Sequence, residues 1–132
     1  IKRFRRRCRH RVGATVIKQS ITEPFDLKRR FDIVFISFAF HGFPQEEEKI
    51  IMENAYRHLL SDGRFCIFDY GQFDLEYAHP LVQKVFKAVE CPHAYNFIKL
   101  DLKDMARKVG FRKYREWYPG GVPYLRLACM KR

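Results

Sequence analysis

Phe31-Asp32-Ile33-Val34-Phe35-Ile36-Ser37-Phe38-Ala39-Phe40-His41-Gly42-Phe43-Pro44, followed at once by Gln45-Glu46-Glu47-Glu48, decides the fold. From Asp32 to Phe38 the run is almost continuously apolar. A half-exposed strand alternates apolar and polar residues, whereas a parallel strand covered on both faces need not, so this run predicts a covered parallel strand. The helix after it is well marked. Pro44 suits the first helical position, and the three glutamates place negative charge at the positive end of the helix dipole. Ile51, Ala55 and Leu59, with Met52 and Tyr56 beside them, form its apolar stripe. Glu53 and Arg57 are an i,i+4 pair. Ser61-Asp62-Gly63 is expected to end the helix, with Gly63 in the left-handed position. Arg64–Tyr70 (RFCIFDY) reads as the next strand, which completes a right-handed βαβ unit.

Upstream, the β-branched stretch Ala14–Lys18 is a strand candidate, joined to Asp32 by a polar connection over residues 24–30. Downstream, Pro80 opens a helical pattern carrying Val82, Val85, Phe86 and Val89, and Pro92 is expected to break it. Asp101-x-x-Asp104 starts a shorter helix with Met105, Ala106 and Val109, which stops at Gly110. Phe111–Tyr118 and Val122–Met130 flank Pro119-Gly120-Gly121 and read as an antiparallel hairpin. Alternating strands and helices closed by a hairpin predict an α/β fold with a mostly parallel sheet and an antiparallel last strand.

The chain has 132 residues, enough for one domain with a buried core, and its 47% hydrophobic content argues against disorder. No apolar run approaches the roughly 20 residues of a membrane span. The basic N-terminus has no apolar region after it, so it does not read as a signal peptide. A first residue of Ile rather than Met suggests that the natural chain begins earlier. Charge is uneven. Residues 1–30 hold eleven lysines and arginines against two acids, while the rest of the chain is close to balanced. Lys2, Arg3, Arg5, Arg6, Arg7, Arg9 and Arg11 could neutralise phosphates and contact nucleic acid, or form a solvated basic face. Cys8, Cys66, Cys91 and Cys129 are widely spaced with no CxxC pair. They are expected to be free thiols in a reducing cytoplasm, with no zinc site.

Several of these stretches resemble the class I, Rossmann-like S-adenosylmethionine-dependent methyltransferases, most nearly the methyltransferase type 11 or quinone-biosynthesis-like group. Phe31 to Phe43 resembles that family's F-D-x-V strand and the His-containing turn after it. Tyr56-Arg57-His58-Leu59-Leu60-Ser61-Asp62-Gly63-Arg64 is similar to its R-x-L-K-P-G-G lead, with Ser61 and Asp62 in place of proline and glycine. Asp69-Tyr70-Gly71 resembles its D-x-G, and Val109-Gly110-Phe111 its aGF. The resemblance covers residues 14–132, so residues 1–132 read as a single partial domain. It implies a seven-stranded sheet of order 3-2-1-4-5-7-6 whose seventh strand is antiparallel. The first two strands are missing here, and with them the glycine-rich loop and the ribose-binding acid of the family. Sheet edges would therefore be exposed around the gap, and another chain could complete the sheet.

The resemblance also implies site residues. Ser20 and Ile21 stand where the family contacts the adenine of S-adenosylmethionine. Ser37 and Phe38 stand where the methionine part lies, and His41 stands in the turn above. Asp69 and Tyr70 would border the substrate, and the aromatic-rich segment 77–97 would form a lid over it. For each there is an ordinary structural alternative: Ser20 in a turn, Phe38 as packing, His41 as a turn cap, Asp69 as a loop-fixing acid. The functional expectation is methyl transfer to a small-molecule or lipid-like acceptor, by the C-terminal portion of such an enzyme. The alternatives are a non-enzymatic basic module that binds nucleic acid, and a degenerate methyltransferase-like chain without activity. Binding through residues 2–11 would weaken steeply with salt.

Overall fold

In the computed structural model, residues 13–132 are described; the basic cluster Lys2–Arg11 and Cys8 lie outside them. Strand β1 (Phe31–Ser37) leads into helix α1 (Gln45–Arg57), and strand β2 (Leu59–Tyr70) returns parallel to β1. Helices α2 (Pro80–Val89), α3 (Pro92–Phe97) and α4 (Leu102–Val109) follow. Strands β3 (Arg112–Trp117) and β4 (Leu125–Lys131) then form an antiparallel hairpin. β4 inserts beside β2, antiparallel to it, so the sheet order is β1-β2-β4-β3. The α/β class and the closing hairpin are as the sequence predicts.

Local chemistry explains most boundaries. Asp101 caps α4 by accepting from the Asp104 amide at 2.9 Å, and Gly110 ends it in the left-handed region at φ 110°. The helix end of α1 is different from expectation. It stops at Arg57, with His58 as the C-cap residue, and Ser61-Asp62-Gly63 belongs to β2. The His58 ring bonds back to the Asn54 carbonyl at 2.8 Å, while its backbone carbonyl accepts from Phe31 at 2.8 Å and draws the chain into the sheet. Gly63 is required for closeness instead of for a left-handed turn: a Cβ there would sit 2.9 Å from the Phe31 carbonyl oxygen. Pro44 is the N-cap residue, one place before the position expected. Pro92 begins α3 at the same time as it separates it from α2.

Two further expectations are corrected. Residues 14–18 form no strand, because no strand among the described residues lies beside them to complete a ladder. The segment packs elsewhere: Asn54 Nδ2 donates to the Ile21 and Glu23 carbonyls at 3.0 and 2.8 Å, and Phe25 stacks on His58. The second correction concerns the cysteines. Cys66 on β2 faces Cys129 on β4 in register, 4.2 Å apart at Cα, and the two are bonded as a disulfide. Cys91 is free.

The core fills one face of the sheet. Phe65 and Ile67 of β2 and Ala128 and Met130 of β4 point at Ile51, Met52 and Ala55 of α1 and at Met105 and Ala106 of α4. Among the described residues the opposite face is largely open, so β1 is covered by them on one face only, with Ile33 and Phe35 exposed.

Candidate functional site

The C-terminal ends of β1 and β2 converge on one polar cluster, the place where an open α/β sheet presents its ligand site. Asp69, near the end of β2, is completely buried. Its Oδ2 accepts from the backbone amides of Phe40 at 3.0 Å and His41 at 3.2 Å, which fixes the short 3₁₀ turn after β1. Its Oδ1 accepts from His41 Nδ1 at 2.6 Å and from the Tyr70 amide at 2.8 Å. His41 Nε2 lies 3.2 Å from Glu90 Oε2, and the Tyr70 hydroxyl donates to Glu90 Oε1.

Both ring nitrogens of His41 thus face carboxylates, and only the imidazolium can donate to both. The hydrogen bond to Asp69 raises the His41 pKa above its usual value; burial opposes this, and the charges of Asp69, Glu90 and Glu48 add to the rise. Burial, then the hydrogen bond to Glu90, push the Tyr70 hydroxyl well above its usual range. The cluster is a latch of four side chains that can hold a proton on His41 and present the Tyr70 ring to the space beyond.

Phe38 adds a strained element. It adopts φ 44°, a region that bulky residues seldom visit, while its N–H donates a hydrogen bond to the Phe68 carbonyl at 2.9 Å. Its ring stands half-exposed, edge-on to Phe68 at 5.0 Å. Ser37 beside it is exposed. Next to Tyr70 an apolar groove of about 260 Å³ runs between the sheet end and α2, bordered by Phe73, Leu81, Val85, Phe86 and Tyr124. Of its lining, Leu81, Val85 and Phe86 on α2 belong to the segment 77–97 expected to form a lid.

The structure therefore brings together Ser37, Phe38, His41, Asp69 and Tyr70. It leaves Ser20 and Ile21 apart from them. Ser20 is exposed and pairs with the Thr22 hydroxyl, and Ile21 lines a separate groove of about 230 Å³ with Phe25, Val34, Ile51 and His58. Asp69 is the loop-fixing acid, and its burial puts the contact surface of this pair on Tyr70.

Three residues of the buried polar network were not expected there: Glu90 and Arg126 were not singled out, and Glu48 was read only as one of three glutamates at the helix start. Glu90 gave no signal, since it is the C-cap residue of a helix that nothing ties to His41 in sequence. Glu48 and Arg126 did give one. Glu48 precedes Ile51, Met52 and Ala55 by three, four and seven residues, which places it on the buried stripe of α1. Arg126 shares the parity of Ala128 and Met130 on β4, the inward face. Both are buried, Glu48 at 3% and Arg126 at 1% exposure. Burial, with the Asp69 charge adding to it, pushes the Glu48 carboxyl up to about 7, against the opposing pull of Arg126.

A pH dependence follows. The folded chain keeps a proton on Glu48 that the unfolded chain releases near its ordinary carboxyl pKa, so stability falls as pH rises from about 4.5 to about 7. Glu48→Gln is expected to flatten that slope. Above pH 7 it should be more stable than the parent by about 1–2 kcal/mol, less than the full shift because nearby charge and solvent screen it. Urea unfolding at pH 5 and pH 8 measures this; equal differences at both pH values would refute it.

Comparison with known proteins bears on the fold. No family model matches the chain, and no curated protein matches it in sequence. Solved structures do. The apo form of the S-adenosylmethionine-dependent methyltransferase SibL superposes with a TM-score of 0.72 at 15% identity, over 99% of this chain and 39% of SibL. The CMeT domain of the citrinin polyketide synthase gives 0.69 at 17% identity, over 98% of this chain and 35% of that one. An O-methyltransferase family protein from Burkholderia thailandensis gives 0.62 at 15%, over 88% and 35%. The fold is a partial methyltransferase fold. This chain spans between a third and two fifths of the length of these neighbours. Order β1-β2-β4-β3 corresponds to the 4-5-7-6 side of the methyltransferase sheet expected from the sequence.

The residues present fit S-adenosylmethionine as one wall only. Ser37, the strained and half-exposed Phe38, and His41 stand at the open end of β1, beside the free sheet edge. A glycine-rich turn that would let backbone approach the cofactor is absent among the described residues.

Proposed function

We propose that this chain is the C-terminal portion of an S-adenosylmethionine-dependent methyltransferase acting on a small-molecule or lipid-like acceptor. The observation that carries the reading is the convergence of Ser37, Phe38, His41 and Tyr70 at the strand ends of a methyltransferase fold, next to an apolar groove. Bound S-adenosylmethionine supplies an electrophilic methyl group on a sulfonium. This chain's residues supply position and dryness. Ser37 and Phe38 border the cofactor, and the groove between Tyr70, Phe86 and Leu81 takes the apolar body of the acceptor and excludes water. His41, held by Asp69 and Glu90, is a fixed cation whose Nε2 can release its proton once Glu90 moves aside and take it back afterwards.

Calorimetry tests the reading. The 132-residue chain alone is expected to give no heat with millimolar S-adenosylmethionine, because one wall does not hold it. Within a protein that carries the glycine-rich segment, binding should appear, and Phe38→Ala should weaken it about tenfold, equivalent to about 1.4 kcal/mol. Binding in that protein that is indifferent to Phe38 and to His41→Ala would defeat the assignment.

A further inference from the structure

Helix α2 carries more apolar surface than the described residues cover. Phe86 is buried and Val82 half-buried in the cluster around Leu75, Ala94 and Ile98. At about 3.6 residues per turn, Leu81, Val85 and Val89 recur at i, i+4 and i+8 and form a second row beside the first. They are 64%, 51% and 66% exposed. Tyr77, in the 3₁₀ turn that leads into the helix, is 88% exposed. Single exposed apolar residues are ordinary, whereas a contiguous row marks a contact surface.

Charge says what the surface meets. Lys84 and Lys87 stand on the flank of the row away from Phe86, and both are exposed. The helix itself, PLVQKVFKAV, holds no acid. Glu90, after it, is engaged with Tyr70 and His41. Asp74 and Glu76 precede it in a turn whose Glu76 carbonyl accepts from Gln83, on the side of the helix opposite the row. An apolar row flanked by lysines suits a helix lying in a bilayer surface: the row enters the acyl boundary, and the lysine stems reach back to the phosphates. Ten residues are too few to span a bilayer. So short a helix binds weakly alone, and stable attachment takes a second attraction. Lys2–Arg11, outside the described residues, supplies seven further cations in ten positions.

We propose that α2 docks the protein on an anionic bilayer surface, with Leu81, Val85 and Val89 in the acyl boundary and Lys84 and Lys87 at the phosphates. Nucleic acid would meet the lysines and leave the apolar row without a partner. A second copy of α2 would cover the row and offer the lysines no acid. Leu81 and Val85 also border the groove beside Tyr70, so that groove opens where the bilayer lies. It follows, in the one step that rests on the functional reading above, that the acceptor is a lipid entering from the bilayer instead of from water.

Flotation with extruded vesicles tests the docking without cofactor or acceptor. The protein is expected to float with phosphatidylcholine vesicles containing about one-third phosphatidylserine, and to bind pure phosphatidylcholine at least about tenfold less. Binding to the anionic vesicles should fall as salt rises. Leu81→Gln with Val89→Gln should lower partitioning about tenfold at constant charge, and the fold should hold because both sites are exposed. Lys84→Gln with Lys87→Gln, which keeps the row, should also cost about tenfold. Near-UV circular dichroism checks that each variant is folded. No flotation, flotation indifferent to both pairs of substitutions, or binding to a single-stranded oligonucleotide in place of vesicles would overturn the proposal. Flotation intact in a protein that binds no S-adenosylmethionine would count against the functional reading alone.

Discussion

Asp69→Ala is expected to destabilise the protein by about 3–5 kcal/mol, the range for breaking a buried charged pair from one side. Asp69 has no exposed surface, pairs with His41 Nδ1 at 2.6 Å, and its strand position is in register with Arg126 across β2 and β4. Arg126 is itself buried; among the described residues its Nε and Nη2 meet no hydrogen-bond partner, and its Nη1 lies 3.9 Å from Glu116. Alanine would leave the buried side of the His41 imidazolium without its carboxylate, and would leave the Phe40, His41 and Tyr70 amides without their acceptor. Asp69→Asn isolates the charge from the shape, and a smaller loss of about 1–2 kcal/mol is expected. The proton on His41 supplies a second readout. Its folded pKa is raised, so its contribution is fully present below the ordinary histidine pKa of about 6.5 and fades as pH rises through the folded value. In Asp69→Asn the His41 pKa should fall towards the ordinary value, and the penalty relative to the parent should narrow at alkaline pH. Urea unfolding across pH and a histidine titration by NMR measure both. A His41 pKa unchanged in Asp69→Asn would show that the latch does not govern it.

What the sequence disclosed was whatever local chemistry decides. β1, α4 and the hairpin follow from an apolar run, an Asp cap with a left-handed glycine, and a Pro-Gly-Gly turn, each of which acts within a few residues. The features it concealed depend on what lies across the sheet. Ala14–Lys18 has strand composition, but a strand exists only beside another, and nothing in the composition says whether that neighbour is present. Gly63 looked like a helix stop because Ser-Asp-Gly is turn chemistry, whereas the approach of the Phe31 carbonyl governs it instead. The site divides the same way. Ser37, Phe38 and His41 were placed by the end of a readable strand, and Asp69 and Tyr70 by the end of the next. Glu90 reaches His41 from a helix some fifty positions away in sequence, a meeting that no spacing rule encodes. Glu48 and Arg126 show a third case: periodicity put them inside, and reading them as ordinary charged residues hid it.

Reduction of the Cys66–Cys129 bond is expected to lower stability by about 4 kcal/mol, and the cause lies mainly in the unfolded chain. The two cysteines are 63 positions apart, so the bond closes a loop that takes in α2, α3, α4 and the hairpin turn. Chain-entropy estimates for a loop of that length give the figure quoted. The folded state should change little, because β2 and β4 are paired in seven consecutive registers from Arg64–Lys131 to Tyr70–Leu125 whether or not the sulfurs are joined. The double variant Cys66→Ala, Cys129→Ala should therefore behave like the reduced parent. Both should unfold at lower denaturant, and with a steeper denaturant dependence, because an unlinked unfolded chain exposes more surface. Thermal midpoints should drop by roughly 10–20 °C for a domain of this size. Identical unfolding curves with and without reductant would mean the two sulfurs are not bonded in solution, and the ladder would then be holding them as facing thiols. A lower midpoint with unchanged steepness would place the effect in the folded sheet instead, and would make the bond a clamp on β4 rather than a restraint on the open chain.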